Sequence, residues 1–227
     1  MPEPSKPHGP TVILIPGLLR TASSLSVLAE RLVFCGYRVA RFDYSRTERP
    51  GDIELRLQRA ILDLDAGVHL IGHSYGGLIA VGACQKQEVA RRIKGVLCLG
   101  TPLRGSKTAQ RIRAHRAGKA LLDVAGGYVS MPLPYPRVPA EVVMIAGERN
   151  RGPGLLLGPL GARNDGTVDV AETAWPGLKE HIRLPVSHGE LLRDKLVASH
   201  AVAYLRTGSL LGLATVAGER DEQTRAA

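Results

Sequence analysis

Ser74 lies in the stretch HLIGHSYGGLIA, residues 69–80, as a hydroxyl enclosed by small and apolar neighbours. Around it runs Gly72-His73-Ser74-Tyr75-Gly76, a G-x-S-x-G pattern followed at once by Gly77. An apolar run of strand character ends at Gly72 and a run of helical character begins at Gly76, so the chain must turn sharply between them. Such a strand-to-helix corner forces its central residue into a strained backbone conformation and admits only small side chains beside it. It also raises the hydroxyl at the carboxyl end of the sheet, next to the positive end of the following helix. That is the setting of a nucleophile. Because a serine hydroxyl attacks poorly at neutral pH, the chemistry requires a base to accept its proton and an anionic group to orient that base.

The elements that must position these groups follow from hydrophobic periodicity. Six short apolar runs read as strands, at 11–17, 38–44, 67–74, 95–101, 141–147 and 181–186. Segments of helical period separate them, at 22–36, 51–64, 76–93 and 188–206. In the first helical segment Leu25, Leu28 and Leu32 recur at helical spacing, and Gly36 suits the left-handed turn that ends a helix. This alternation predicts βαβ units around a parallel sheet. Residues 125–140 are too rich in Gly and Pro for regular structure, and 148–166 read as a long irregular connection. The chain is expected to form one domain over 1–227, with its ends, 1–10 and about 208–227, fraying.

With these features, from VILIPGLL to VSHGELL, the sequence resembles the α/β-hydrolase superfamily and, within it, small bacterial lipases and carboxylesterases. The resemblance implies a compact α/β-hydrolase fold of about six parallel strands, helices on both faces and no large cap domain. It implies the chain order serine, acid, histidine, with the histidine on a loop after the last strand. His188 in LPVSHGELL occupies that place. His181 stands at the very start of the last expected strand, His200 falls within a helix, and His115 belongs to the basic segment. His69 reads as a core residue, His73 as the variable elbow position, and His8 as part of the amino-terminal tail.

For the acid, NDGTVDV at 164–170 resembles the N-D-G-x-V segment found at the acid of many lipases, which implies Asp165. Asp165-Gly166 also reads as a simple turn dipeptide, which would leave Asp169 as the substitute. The resemblance further implies an oxyanion hole made by the backbone amides of Tyr75 and Leu18. Lipases of this kind commonly read H-G-x at the second donor, where this chain has Pro16-Gly17-Leu18. LGTPLRGS, 99–106, resembles a G-T-P-x-x-G-S segment that lines the acyl side of lipase pockets, with Leu103 where a histidine is common.

Composition bounds what remains. At 44% hydrophobic and 22% charged residues over 227 positions, the chain carries enough aliphatic surface for one sizeable core. Cys35, Cys84 and Cys98 lie in apolar stretches without metal-ligand or CxxC spacing, so they are expected to be buried thiols. The sequence begins without a charged-then-apolar leader and holds no membrane-length apolar run, which predicts a cytoplasmic protein. The net charge of +9 concentrates in 104–119, RGSKTAQRIRAHRAGK. That segment lacks interleaved aromatics, so a weak contact with an anionic membrane surface is favoured over nucleic acid.

The expected activity is therefore hydrolysis of carboxylic esters through Ser74, His188 and Asp165, on short to medium acyl chains, with no metal or organic cofactor. A thioesterase or acyltransferase would use the same residues on another acyl donor. A binding protein on the same scaffold would have no need of them. Between the fourth and fifth strands, Leu121, Leu122, Val124 and Tyr128 suggest at most a small flap.

Overall fold

A computed structural model describes residues 10–64 and 67–212. Its centre is a six-stranded sheet formed by β1 (Thr11–Ile15), β2 (Arg38–Arg41), β3 (Val68–His73), β4 (Ile93–Leu99), β5 (Val142–Gly147) and β6 (Leu178–Leu184). Their spatial order is β2-β1-β3-β4-β5-β6, and every pairing is parallel. β3 and β5 are buried along their whole length, as expected of strands covered on both faces.

Helices cover the sheet: α1 (Ser26–Phe34), α2 (Pro50–Leu62), α3 (Tyr75–Ala83), α4 (Gln87–Ala90), α5 (Lys107–Arg113), α6 (Arg116–Ser130), α7 (Val170–Thr173) and α8 (Lys195–Thr207). The period-two alternation of the strands divides the core. Val12, Leu14, Ile71, Leu97 and Val143 face Leu28 and Leu32 of α1 and Val197 and Ala201 of α8. Ile13, Ile15, Leu70, Val96 and Met144 face Ile53 and Leu57 of α2, Leu78 of α3 and Leu122 and Val129 of α6. Each large aliphatic side chain fully buried in these layers contributes on the order of 1.5–3 kcal/mol of hydrophobic stabilisation.

The strand order places the site. From β1 the chain runs outward to β2, then crosses back to lay β3 on the other side of β1. The connections after β1 and β3 therefore diverge, opening a crevice at the carboxyl ends of these strands. The loop after β1 carries Leu18, and the corner after β3 carries Ser74.

The helical boundaries differ from the sequence reading in instructive places. Residues 125–130, expected to be irregular, complete α6 despite Gly126 and Gly127. Ala125 and Val129 are buried against the core, and a Cβ on Gly126 would stand 2.8 Å from Leu122 Cβ and 2.9 Å from Arg113 Cδ, so a glycine lets α5 approach α6. The segment read as one helix over 76–93 divides into α3 and α4. β4 begins at Ile93, and β6 begins at Leu178, so that His181 lies in its middle rather than at its start. α8 starts only at Lys195, where Asp194 caps it by accepting from the Leu196 and Val197 amides at 2.7 and 3.3 Å. Gly36 adopts the expected left-handed conformation after α1, with φ 88°.

Cys84 and Cys98 are buried, whereas Cys35 is partly exposed. Between β4 and β5 the chain builds α5 and α6; Leu122 is buried, Leu121 is exposed, and the side chain of Val124 lies outside the described residues, as does His8. Among the described residues no helix is long and apolar enough to cross a membrane.

Candidate active site

Ser74 occupies the N-cap of α3 with φ 53° and ψ −121°. Apart from Leu19, it is the only non-glycine described residue with positive φ. A backbone held in such a region costs on the order of 1–3 kcal/mol and persists only where its surroundings enforce it. Here the Ser74 amide donates to Leu99 O at 2.8 Å, and the Gly77 amide donates to Ser74 O at 3.0 Å. Close approach makes the corner possible, because a Cβ on Gly72 would stand 2.5 Å from Gly77 Cα, and one on Gly76 would strike the Ile15 and Pro16 carbonyls. The serine side chain caps no helix amide, so its hydroxyl is left for the cavity that it lines.

His188 follows β6 and lines the same cavity. Its Nδ1 lies 2.7 Å from Asp165 Oδ2, and its backbone amide donates to Asp165 O at 2.8 Å. The other carboxylate oxygen of Asp165 accepts from the Thr167 amide at 2.9 Å and the Val168 amide at 2.7 Å. Asp165 is 1% exposed, so these donors replace water around a buried carboxylate. With Asp165 ionised, His188 Nδ1 carries the proton and Nε2 presents a lone pair. Asn164 braces the turn by accepting from the Gly166 amide at 2.9 Å and donating to Gly161 O at 2.8 Å. Gly100, with φ 58°, flanks the pair; a Cβ there would stand 3.1 Å from Asp165 Oδ2 and 3.2 Å from His188 Nδ1.

The structure separates the two acids. Asp169 is the N-cap of α7 in a capping box with Glu172, and it also receives Lys107 Nζ at 2.9 Å and the Gly161 amide at 2.6 Å. Its partners are thus structural, and His188 is not among them.

Leu18 and Tyr75 both line the cavity beside Ser74. The Tyr75 amide is the first of α3, so it has no partner within the helix. The loop bearing Leu18 is closed by the Arg20 amide donating to Gly17 O at 3.1 Å. It is held from outside by Tyr44, whose hydroxyl donates to Pro16 O at 2.9 Å. Burial pushes the Tyr44 phenol far above its ordinary value, which keeps it a donor. The Tyr75 ring lies between Tyr44 and Tyr128, with centroids 5.7 and 6.1 Å away.

Sequence reasoning passed over His73. Its Nε2 lies 3.1 Å from His188 O, and the two rings are 4.6 Å apart. Complete burial, together with the nearby His188, holds its pKa well below the ordinary value, so it is neutral and its Nε2–H donates to that carbonyl. A Cβ on Gly17 would stand 2.8 Å from His73 Nδ1, which places this ring between the Leu18 loop and the His188 loop. The only sequence signal was its place inside the G-x-S-x-G pattern.

The cavity has a volume of about 570 Å³. Ala109 and Ile112 of α5 and Leu122 and Val129 of α6 give it an apolar wall. Of GTPLRGS, Pro102 and Ser106 line it, whereas Leu103 is buried in the core. Among the described residues no group of three His, Cys, Asp or Glu side chains is arranged to hold a metal ion.

Residues 12–217 match the model of the alpha/beta hydrolase family, and the chain belongs to that family. The fold is similar to a Bacillus licheniformis lipase in mature form, with TM-score 0.73 and 20% identity over 90% of this chain and 94% of that one. It is also similar to a metagenomic carboxyl esterase, with TM-score 0.64 and 18% identity over 83% of this chain and 67% of that one. A thioesterase domain from the curacin biosynthetic pathway follows, with TM-score 0.58 and 15% identity over 89% of this chain and 92% of that one. No curated protein matches the chain in sequence. The structural likenesses, at these identities, bear on fold.

Proposed function

We propose that this hydrolase cleaves carboxylic esters through Ser74, His188 and Asp165. The observation that carries the reading is the buried Asp165–His188 pair, 2.7 Å apart, whose His188 lines the same cavity as a serine held at φ 53°. His188 Nε2 accepts the Ser74 proton as Oγ attacks the ester carbonyl. The oxyanion is met by the Leu18 and Tyr75 amides, and preorganised donors of this kind are worth roughly 10²- to 10³-fold each. Collapse expels the alcohol with the proton from His188 and leaves an acyl-serine. Water, deprotonated by His188, attacks that acyl-serine and releases the acid, and Ser74 recovers its proton. Asp165 stays ionised throughout and stabilises the imidazolium. No metal or organic cofactor enters these steps.

The apolar wall of α5 and α6 takes the acyl chain, and a cavity of about 570 Å³ suits short to medium chains. Likeness to a lipase and a carboxyl esterase supports ester substrates. Likeness to a thioesterase domain supports the second reading, in which the same residues act on a thioester. Rates on p-nitrophenyl esters from acetyl to lauroyl, set against the matching acyl-CoA series, test the proposal. A peak at butyryl to octanoyl esters is expected, and hydrolysis of thioesters alone would move the assignment to the second reading.

A further inference from the structure

Besides its apolar wall, the cavity has a basic lining. Arg20, Arg151 and Arg193 line it, and each comes from a different loop: the one after β1, the one after β5 and the one after His188. Arg20 is near enough for its charge to depress proton binding at His73. An Nη of Arg193 lies 3.8 Å from where a Cβ on Gly189 would stand, beside His188. The Arg151 backbone abuts Gly166, the residue after Asp165. All three side chains are exposed, and among the described residues none forms a salt bridge. The one acid lining the cavity, Glu190, is already engaged by Arg149 at 2.7 Å and by the Ser187 amide at 2.7 Å. Among the described residues, no carboxylate lining the cavity is therefore paired with these three arginines.

We propose that the cavity selects acyl esters whose alcohol portion carries a phosphate, held by Arg20, Arg151 and Arg193 while the acyl chain lies along Ile112, Leu122 and Val129. This rests on the ester-hydrolase reading. A single guanidinium satisfies both oxygens of a planar carboxylate in bidentate fashion, whereas three carried on three separate loops around one cavity supply more donors than a carboxylate can use and match the larger oxygen set of a tetrahedral phosphate. An exposed charge pair contributes roughly 1.5- to 5-fold in binding, so three together give roughly 3- to 100-fold, centred on the order of tenfold. The effect is screened as the Debye length shrinks from about 30 Å at 0.01 M salt to about 3 Å at 1 M.

The test reads binding without turnover. Ser74→Ala protein is titrated calorimetrically with hexyl phosphate and with hexanol, in low and high salt, alongside the Arg20→Gln/Arg151→Gln/Arg193→Gln variant on the same background. Hexyl phosphate is expected to bind on the order of tenfold, and at least about threefold, more tightly than hexanol at low salt. That preference should collapse at high salt and in the triple variant, and survive largely in the corresponding triple Lys variant. Should the triple Gln variant fail to fold by circular dichroism, each single Gln variant is expected to lose about 1.5- to 5-fold of the preference. Equal affinities, or a preference indifferent to the substitutions, overturns the proposal. Arginine-dependent binding to phosphatidylglycerol vesicles without preference for monomeric hexyl phosphate also overturns it, assigning the arginines to a lipid surface. Because binding is scored with the nucleophile removed, failure of the ester reading shows separately, as absent hydrolysis by the unmodified protein.

Discussion

Asp165→Asn separates orientation of the base from stability of the fold. Asparagine retains one carbonyl oxygen, which can still accept from the Thr167 and Val168 amides now 2.9 and 2.7 Å from Asp165 Oδ1. Its amide nitrogen then replaces Oδ2, 2.7 Å from His188 Nδ1, and sets donor against donor. His188 escapes by shifting its proton to Nε2, which removes the lone pair needed to accept the Ser74 proton. Turnover should fall by roughly 10²- to 10⁴-fold with little change in KM, because the tautomer is disturbed and substrate binding is not. Asp169→Asn is the control. It weakens the α7 cap and the contact with Lys107, costing roughly 0.5–2 kcal/mol of stability and less than about tenfold in turnover. Initial rates on p-nitrophenyl butyrate, paired with thermal melts, distinguish the two variants. A loss under tenfold at Asp165, or a larger loss at Asp169, would refute the reasoning.

His73→Phe keeps the ring volume but removes the donor to His188 O, so kcat should drop by roughly 3- to 10-fold while KM holds, as read from steady-state kinetics. An unchanged kcat would show that the His188 loop needs no such tie. His69 should make the fold acid-sensitive: burial, reinforced by Lys94, lowers its pKa from 6.5 to about 4. The folded protein therefore binds fewer protons than the unfolded chain in that interval, so stability is full above pH 6.5 and is lost as pH falls toward 4, by roughly 1–3 kcal/mol. Urea melts of His69→Phe should be flatter over this range, and equal slopes in the two proteins would contradict the linkage. Ile112→Trp fills the apolar wall and should shift the preferred ester toward shorter chains, measured across the p-nitrophenyl series; an unmoved optimum would place the acyl chain elsewhere.

Much of this architecture was legible because parallel strands buried on both faces appear in sequence as short aliphatic runs, such as VILI and VVMIAG. The Ser74 corner was legible for a related reason, since close approach of Gly76 to the Ile15 and Pro16 carbonyls leaves a mark in residue type. What escaped depends on contacts distant in the chain. Gly126 and Gly127 argue locally against a helix, yet packing of α6 against α5 and the core overrides that preference. The tie from His73 to the His188 carbonyl joins residues 115 positions apart and has no local signature. Likewise, Arg20, Arg151 and Arg193 are spread along the chain, and only the three loops bring them to one cavity.

The central claim, that Ser74 is the nucleophile, is tested most directly by labelling the folded protein with a fluorophosphonate and mapping the adduct by mass spectrometry. The account predicts a single adduct on Ser74. It predicts no labelling, and less than about one per cent of the hydrolytic rate, in a Ser74→Ala protein that melts at or above the parent temperature, since the substitution removes only the hydroxyl. An adduct on another residue, or hydrolysis that persists in Ser74→Ala, would contradict it.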